Sequence, residues 1–425
     1  MDFATLRYIS GTGSVLLKCY SDRNLKGSKQ SNSPKRKILW VSPLILDLHF
    51  HKTSRIEVLR ALSKLGYDTN LLAMHSRRKI LNENPQVQVI SIPLRYVPII
   101  SPFLYTALIF FALPFYLAMY RPDFIVIEPD MSIFGIVSIF PFSITKRVKL
   151  ILDIRSTPVE IYGLRGYLKK LNFTLSVLIA KSFFDGVTII TSHMKKEICK
   201  EYDLDLEFVG VWTSGVSTEL FDPKKYITDS KKLRENLGLS HRFIIFYHGA
   251  FSPNRGLIET IEAIDTVRQK YSDVVLFLLG SGSIVNSLKS LVETKKLQNN
   301  VIIHPPVKYV DVPKYIAMSD IGIVPLPNHP YWNFQCPLNL LEYLAMEKPV
   351  IITDIPANRS VIGDNRCGIY IRSIRPIEIA NAIEYAYSNK GKLAEWGKLG
   401  RKNVVNKYTW DKVAEKFEEY LSSRR

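Results

Sequence analysis

Between Cys336 and Asp354 the chain reads CPLNLLEYLAMEKPVIITD, which joins a helix start, a carboxylate about one turn inside it and a following apolar run. Pro337 suits the first turn of a helix, because it has no N–H to leave unpaired, and Glu342 sits a little further along. The free N–H groups and positive dipole end of a helix start hold a diphosphate well. A carboxylate on the same helix accepts hydrogen bonds from ribose hydroxyls; the plainer reading of Glu342 is an acid on a helix surface. Other groups are less specific. His49 and His51 lack a third ligand at a zinc-binding spacing, and His193 and His248 read as turn or core histidines. Asp203-Leu204-Asp205 has the acid spacing that holds a metal on a diphosphate, but it follows KKEICKEY and precedes a strand, so it reads as a surface turn. GSGS at 280–283 is too short for a dinucleotide fingerprint. No metal site and no cofactor is expected.

Such groups need a sheet to present them. From Lys37 the apolar runs come at the spacing of alternating strands and helices: KILWVSP, an amphipathic stretch from Ser54 to Gly66, DTNLLAM, VQVISIP, FIVIEPD, LILDIRS, GVTIITS and FVGVWTSG. After a charged connector, Asp222 to Leu239, the pattern restarts with FIIFYHG, VVLFLLGSG, NVIIHPPV, IGIVPLP and PVIITDI, with a helix predicted over Leu257 to Tyr271. Continuous apolar strands between helices imply parallel sheets covered on both faces. The reading is an α/β protein: an extension over 1–36, Rossmann-like domains over 37–220 and 221–408, and a terminal helix over 409–425. Ligands of such sheets bind beyond the carboxyl ends of the strands, which puts the site in the cleft between two facing domains.

A chain of 425 residues, 47% hydrophobic and 23% charged, suits two cores better than one. Its net charge of +18 is uneven: residues 1–240 hold 33 Lys and Arg against 21 Asp and Glu, leaving +6 for the rest. No basic motif interleaved with aromatics points to nucleic acid. Cys19, Cys199, Cys336 and Cys367 show neither CxxC spacing nor a metal pattern, so they read as free thiols in the reducing cytoplasm. From Tyr96 to Tyr120 there are 25 residues without a charge, long enough to cross a bilayer. The segment lies between two strands of one predicted sheet, which argues against a crossing. It reads either as a buried helix or as one resting in the interface, and the basic excess favours the second.

The segment P-L-x-L-L-E-Y-L-A-x-x-K-P-V-I resembles the donor-binding segment of family 4 glycosyltransferases. GAFSPNRG at 249–256, LLGSG at 278–282, WTSGVSTELFDP at 212–223 and YTWDKVAEKF at 408–417 resemble further pieces of that family in the same order. The resemblance covers the chain from about residue 205. It implies a GT-B fold and transfer of a sugar, with retained anomeric configuration, from a nucleotide diphosphate sugar to a glycan or lipid-linked acceptor at the cytoplasmic face of an anionic membrane. It assigns Glu342 to the ribose, Arg255 to the diphosphate, and Gly249, Gly256, Gly280, Gly282, Val307, Pro337, Asn339 and Leu340 to the donor, with Gly215 at the cleft. In the first domain it places Asp153 at a strand end facing the cleft, near the reacting sugar, and Arg155 on an acceptor phosphate; the plainer readings are a cap and an ion pair. The sequence departs from the family in three places. Phe334 stands where the first glutamate of E-x7-E is expected, Ala250 where a loop arginine is, and Asn339 where some members carry a lysine. Those departures keep a second class in view, a catalytically weak GT-B subunit that binds a partner. An epimerase on the same double plan fits the Glu342 segment and the terminal helix poorly.

Overall fold

The computed structural model describes residues 36–45, 52–75, 87–93, 100–139, 148–158, 163–363 and 366–424. The expectations for the extension, Cys19, His49, His51 and the start of the uncharged stretch at Tyr96 lie outside these residues. Two all-parallel sheets form, as the apolar runs predict. The first has seven strands in the order β3-β2-β1-β4-β5-β6-β7: β1 Lys37–Ile45, β2 Asp68–His75, β3 Gln88–Pro93, β4 Phe124–Ile127, β5 Lys149–Ile154, β6 Gly186–Ile189 and β7 Val209–Val211. The second has six, in the order β10-β9-β8-β11-β12-β13: β8 Phe243–Ala250, β9 Val274–Ser281, β10 Val301–His304, β11 Ile321–Val324, β12 Val350–Thr353 and β13 Gly368–Ile371. Both are the doubly wound plan. The order reverses between β1 and β4 and again between β8 and β11, and the crevice at each reversal is where ligands enter.

Period-two alternation sorts the side chains into layers. Leu39, Val41, Ile125 and Ile127 share one buried cluster, and Ile38, Trp40, Phe124 and Val126 another on the opposite face. A right-handed crossover puts every connection running from β3 toward β7 on one face of the first sheet. The helices Ile100–Tyr120 and Gly163–Phe183 accordingly pack on the Leu39 side through Tyr105, Ile109, Leu113, Phe173 and Val177. The helices Lys52–Lys64 and Trp410–Ser423 cover the other side. In the second domain Ile245 and Leu276 face one cluster while Phe246 and Phe277 face the cluster that continues into the first domain.

Two expectations shift. The strand read over 208–215 stops at Val211, because Trp212 turns inward and the chain then crosses to the second domain. The helix read to Tyr271 is regular only from Leu257 to Val267. The crossing is made beside the returning chain: Val216 N donates to Tyr408 O at 2.8 Å, and a Cβ on Gly215 would run into the Trp410 ring.

The helix Ile100–Tyr120 is the one described helix long and apolar enough to cross a membrane. It lies instead along the sheet. Tyr105 Oη donates to Ser42 O at 2.7 Å, Asn70 Nδ2 to Tyr116 Oη at 2.5 Å and Tyr120 Oη to Asp68 O at 2.8 Å. One side is buried, and Phe103, Phe111, Phe115 and Met119 on the other are exposed.

Phe417 joins the terminal helix to the first domain, stacked on Trp212 at 5.1 Å and edge-on to Trp40 at 5.9 Å. Phe417→Ala is expected to cost the first domain about 3–5 kcal/mol. Urea unfolding followed by tryptophan emission measures this, and an unchanged midpoint would show that the terminal helix adds no stability there.

Candidate functional site

At the carboxyl edge of the second sheet, β8 ends in His248, Gly249 and Ala250, and the helix Leu338–Ala345 begins beside it. Pro337 is the residue before the helix, with φ −63° and ψ 121°, and not its first turn as expected. Three side chains of the helix grip His248. Asn339 Nδ2 donates to His248 O at 3.3 Å, His248 N donates to Tyr343 Oη at 3.0 Å, and His248 Nε2 lies 3.1 Å from Glu342 Oε2. Tyr309 Oη donates to Glu342 Oε1 at 2.8 Å. Glu342 is buried, so it is not a surface acid, and a buried carboxylate is costly unless donors surround it. A carboxylate has about four acceptor positions. Tyr309 occupies one, and His248 Nε2, which has no hydrogen-bond partner among the described residues, lies beside the other oxygen, which leaves capacity for further hydroxyls. Burial, and next the Glu342 charge, hold the Tyr309 phenol well above its usual range.

The loop after β8 carries Arg255, whose guanidinium stacks on the Trp332 ring at 4.6 Å from its centre. Among the described residues no acid pairs with it, and its buried Nε has no partner. Gly256 follows with φ 66°, and a Cβ there would strike Pro325 O, so the glycine lets the loop pack on the end of β11. Gly282 similarly lets the turn after β9 meet the Phe251 backbone, while Gly249 and Gly280 pair in register across β8 and β9. Val307, half-buried, follows β10 at the same edge, and Leu340 is buried beneath the helix.

The first domain corrects one expectation. Asp153 does not open onto the cleft; it is fully buried, and its Oδ1 accepts from Thr188 Oγ1 at 2.7 Å and Trp212 Nε1 at 2.9 Å. The strand alternation turns it inward with Ile151. Burial raises its carboxyl to about 6 despite Arg155 nearby. Arg155 lies over the Trp212 ring at 3.6 Å and donates to Trp212 O at 2.9 Å; burial lowers it to about 10.

Sequence reasoning missed the acids at the first sheet's reversal. Glu128, just past β4, accepts from Arg55 Nε at 3.0 Å and Nη2 at 2.8 Å and from Ser42 Oγ at 2.7 Å. Burial pushes its carboxyl up, but Arg55 and Ser42 together hold it below its usual value. Asp130 accepts from Ser132 N at 2.6 Å and from the Ser132 hydroxyl, keeps one buried oxygen without a partner, and is raised by burial to about 7. The available signal was an acid pair directly after the strand FIVI.

Across the cleft, Phe334 packs against His193 at 5.3 Å and its carbonyl accepts from Thr191 Oγ1 at 2.9 Å. Trp332, Tyr309 and both histidines were not assigned to the site from sequence. Among the described residues no group of three or more His, Cys, Asp or Glu gathers to hold a metal. Asp203 caps a helix at φ 51° and pairs with Lys181 at 3.0 Å, and Asp205 accepts from Glu207 N at 2.9 Å, so that triplet is a surface turn. An open hollow lined by Arg242, Asp273, Asp320 and Lys348 lies at the amino-terminal edge of the second sheet, the wrong end of the strands for this chemistry.

Because its carboxyl is about 6 when folded against an ordinary 3.8, Asp153 binds its proton more tightly in the folded state. Its contribution to stability is full below about pH 4 and is lost as pH rises through about 6. Asp153→Asn should therefore flatten the fall in stability across that window relative to the parent, as read from urea midpoints at successive pH values. Parallel curves for parent and variant would place the titration elsewhere.

Residues 229–403 match the model of the family described as Glycosyl transferases group 1. The putative teichuronic acid biosynthesis glycosyltransferase TuaH of Bacillus subtilis (strain 168) is 28% identical over 241 residues, which is 57% of this chain and 57% of that protein. The chain spans about half the length of the curated relatives it matches. A glycosyltransferase from Rickettsia africae superposes with a TM-score of 0.70 at 19% identity, covering 92% of this chain and 99% of that one. HepE of Anabaena, solved with UDP and glucose, superposes with a TM-score of 0.71 at 17% identity, covering 91% and 100%. The match over residues 229–403 is thus to the glycosyl transferases group 1, and the two Rossmann-like domains of the chain have the GT-B fold.

Proposed function

We propose that the protein is a retaining glycosyltransferase of the family 4 type, taking a sugar from a nucleotide diphosphate sugar. The observation that carries the reading is a buried carboxylate, Glu342, on the helix Leu338–Ala345, together with Arg255 on the Trp332 ring in the loop after β8, a cation that no described acid pairs. The diphosphate would meet Arg255 and the N–H groups of the helix Leu338–Ala345, and the ribose would meet the open positions of Glu342. The bond from the anomeric carbon to the diphosphate breaks, a bond to the acceptor oxygen forms on the same face, and the acceptor proton leaves on the diphosphate. Stabilising that leaving charge is the main chemical task of the site. No metal is part of the proposal. Acceptor hydroxyls would meet Glu128 and Asp130, and Arg155 is proposed for an acceptor phosphate.

The acceptor is proposed to be a glycan or lipid-linked hydroxyl at the cytoplasmic face of an anionic membrane. Support comes from the exposed apolar side of the helix Ile100–Tyr120 and from the unpaired thiols of Cys199, Cys336 and Cys367. Relatives agree in kind: TuaH is named for teichuronic acid biosynthesis, and HepE was solved with UDP and glucose.

Incubation with a panel of nucleotide sugars and membrane lipid extract, followed by mass spectrometry, tests the activity. Release of a nucleoside diphosphate with a glycosylated product is expected; no release and no binding across the panel would overturn the reading. Glu342→Ala should weaken nucleoside diphosphate binding by roughly 1.5–3 kcal/mol, through loss of a charged acceptor. Arg255→Ala should weaken the diphosphate more than the bare nucleoside. Calorimetric titration reads both, and equal losses for the two ligands would separate Arg255 from the phosphates.

A further inference from the structure

The helix Gly163–Phe183 is apolar on two opposite sides. Phe173, Ser176, Val177 and Ala180 are buried against the first sheet, while Leu164, Leu168, Leu171, Leu175 and Leu178 face outward, from 74% exposed at Leu164 to 37% at Leu175. The spacing of four, three, four and three residues keeps these leucines on one line, directly opposite the buried line, along roughly 20 Å of helix. A surface helix normally turns a polar face to water. This one turns leucine.

The handedness of the crossovers places this helix on the same face of the first sheet as Ile100–Tyr120. Both bury their inner sides in one cluster, and both leave large apolar side chains outside, Phe111 and Phe115 among them. Neither helix contains an Asp or Glu, and the second adds the exposed Lys169 and Lys170, for which the described residues supply no ion pair. We propose that Gly163–Phe183 is an in-plane membrane helix, and that with Ile100–Tyr120 it seats this face of the domain in the headgroup boundary of an anionic bilayer. The inference rests on the membrane-side reading above and extends it to an element that reading did not include.

Charge and shape select this occupant. A second copy packed on the leucine line would leave Lys169 and Lys170, which lie toward the other side of the helix, unpaired and Phe111 and Phe115 uncovered. Anionic headgroups complement those lysines, and apolar side chains spread over two helices suit a broad surface better than one narrow seam. Function gains as well. Each crossover helix starts at the carboxyl edge of its sheet, so Leu164 and Ile100 lie at the cleft end. A lipid-linked acceptor then enters the cleft directly from the boundary.

Flotation with vesicles of phosphatidylcholine alone or mixed with phosphatidylglycerol tests this, with no donor present. Three full-length variants serve: Leu168→Ser with Leu171→Ser and Leu175→Ser; Lys169→Glu with Lys170→Glu; and Phe110→Ser with Phe111→Ser and Phe115→Ser. The parent should float best with phosphatidylglycerol. The leucine variant should partition on the order of tenfold less, the lysine variant should lose the preference for phosphatidylglycerol, and both should keep the parent's nucleoside diphosphate affinity. If the phenylalanine variant is released while the leucine and lysine variants float like the parent, this inference falls and the earlier membrane reading stands. A parent that does not float overturns both, whether or not it transfers sugar. A parent dimer in sedimentation that the leucine variant abolishes, with flotation unchanged, assigns the leucine line to a second copy and overturns the proposal.

Discussion

The burial of one carboxylate, Glu342, constrains the whole second domain. A buried carboxylate needs partners: Tyr309, from the loop after β10, donates to it, and His248 Nε2, from the end of β8, lies 3.1 Å from it. Meeting that demand ties two separate stretches of chain to the helix Leu338–Ala345. The neighbours follow from the same fixation: Tyr343 and Asn339 hold the His248 backbone, and the strand end they hold leads into the loop that carries Arg255. A carboxylate placed for structural reasons thus leaves its open positions at the carboxyl edge of the sheet whose β8 leads into the loop of Arg255, an arginine with no described acid partner.

The first domain solves a similar problem differently. Its reversal point holds Glu128 with a bidentate arginine, while Asp153 sits beneath with one oxygen unpartnered and a raised carboxyl. Arg155 lies flat on Trp212, whose indole N–H holds Asp153 and whose other ring neighbours are Trp40 and Phe417 of the terminal helix. The cleft wall of this domain is therefore built on the returning end of the chain. That arrangement couples the position of Arg155 to the second crossing between domains, where Val216 and Thr409 run side by side.

Much of the fold was legible because it is local and periodic. Alternation in KILWV and FIIFY names the two faces of each sheet, and CPLNLLEYLAMEKPV carries its helix start, acid and next strand within a score of residues. What was lost is what only the packed chain brings together. His248 and Glu342 are 94 positions apart, and nothing near either announces the other. The burial of Asp153 depended on the phase of its strand: alternation turns Asp153 inward with Ile151, and the strand ends at Ile154, which leaves Arg155 as the residue at the edge. The outward leucines of Gly163–Phe183 were hidden because a helix apolar on two sides reads as a core helix from composition alone.

The most direct test of the central claim is hydrogen exchange, read by mass spectrometry, on the full chain with and without a saturating nucleoside diphosphate. Slower exchange is expected in peptides covering residues 248–256 and 338–345, where ligand contacts would fix the strand end, the Arg255 loop and the helix start together. Protection confined to the first domain, or to the hollow around Arg242 and Lys348, would contradict a donor site built on Glu342 and Arg255.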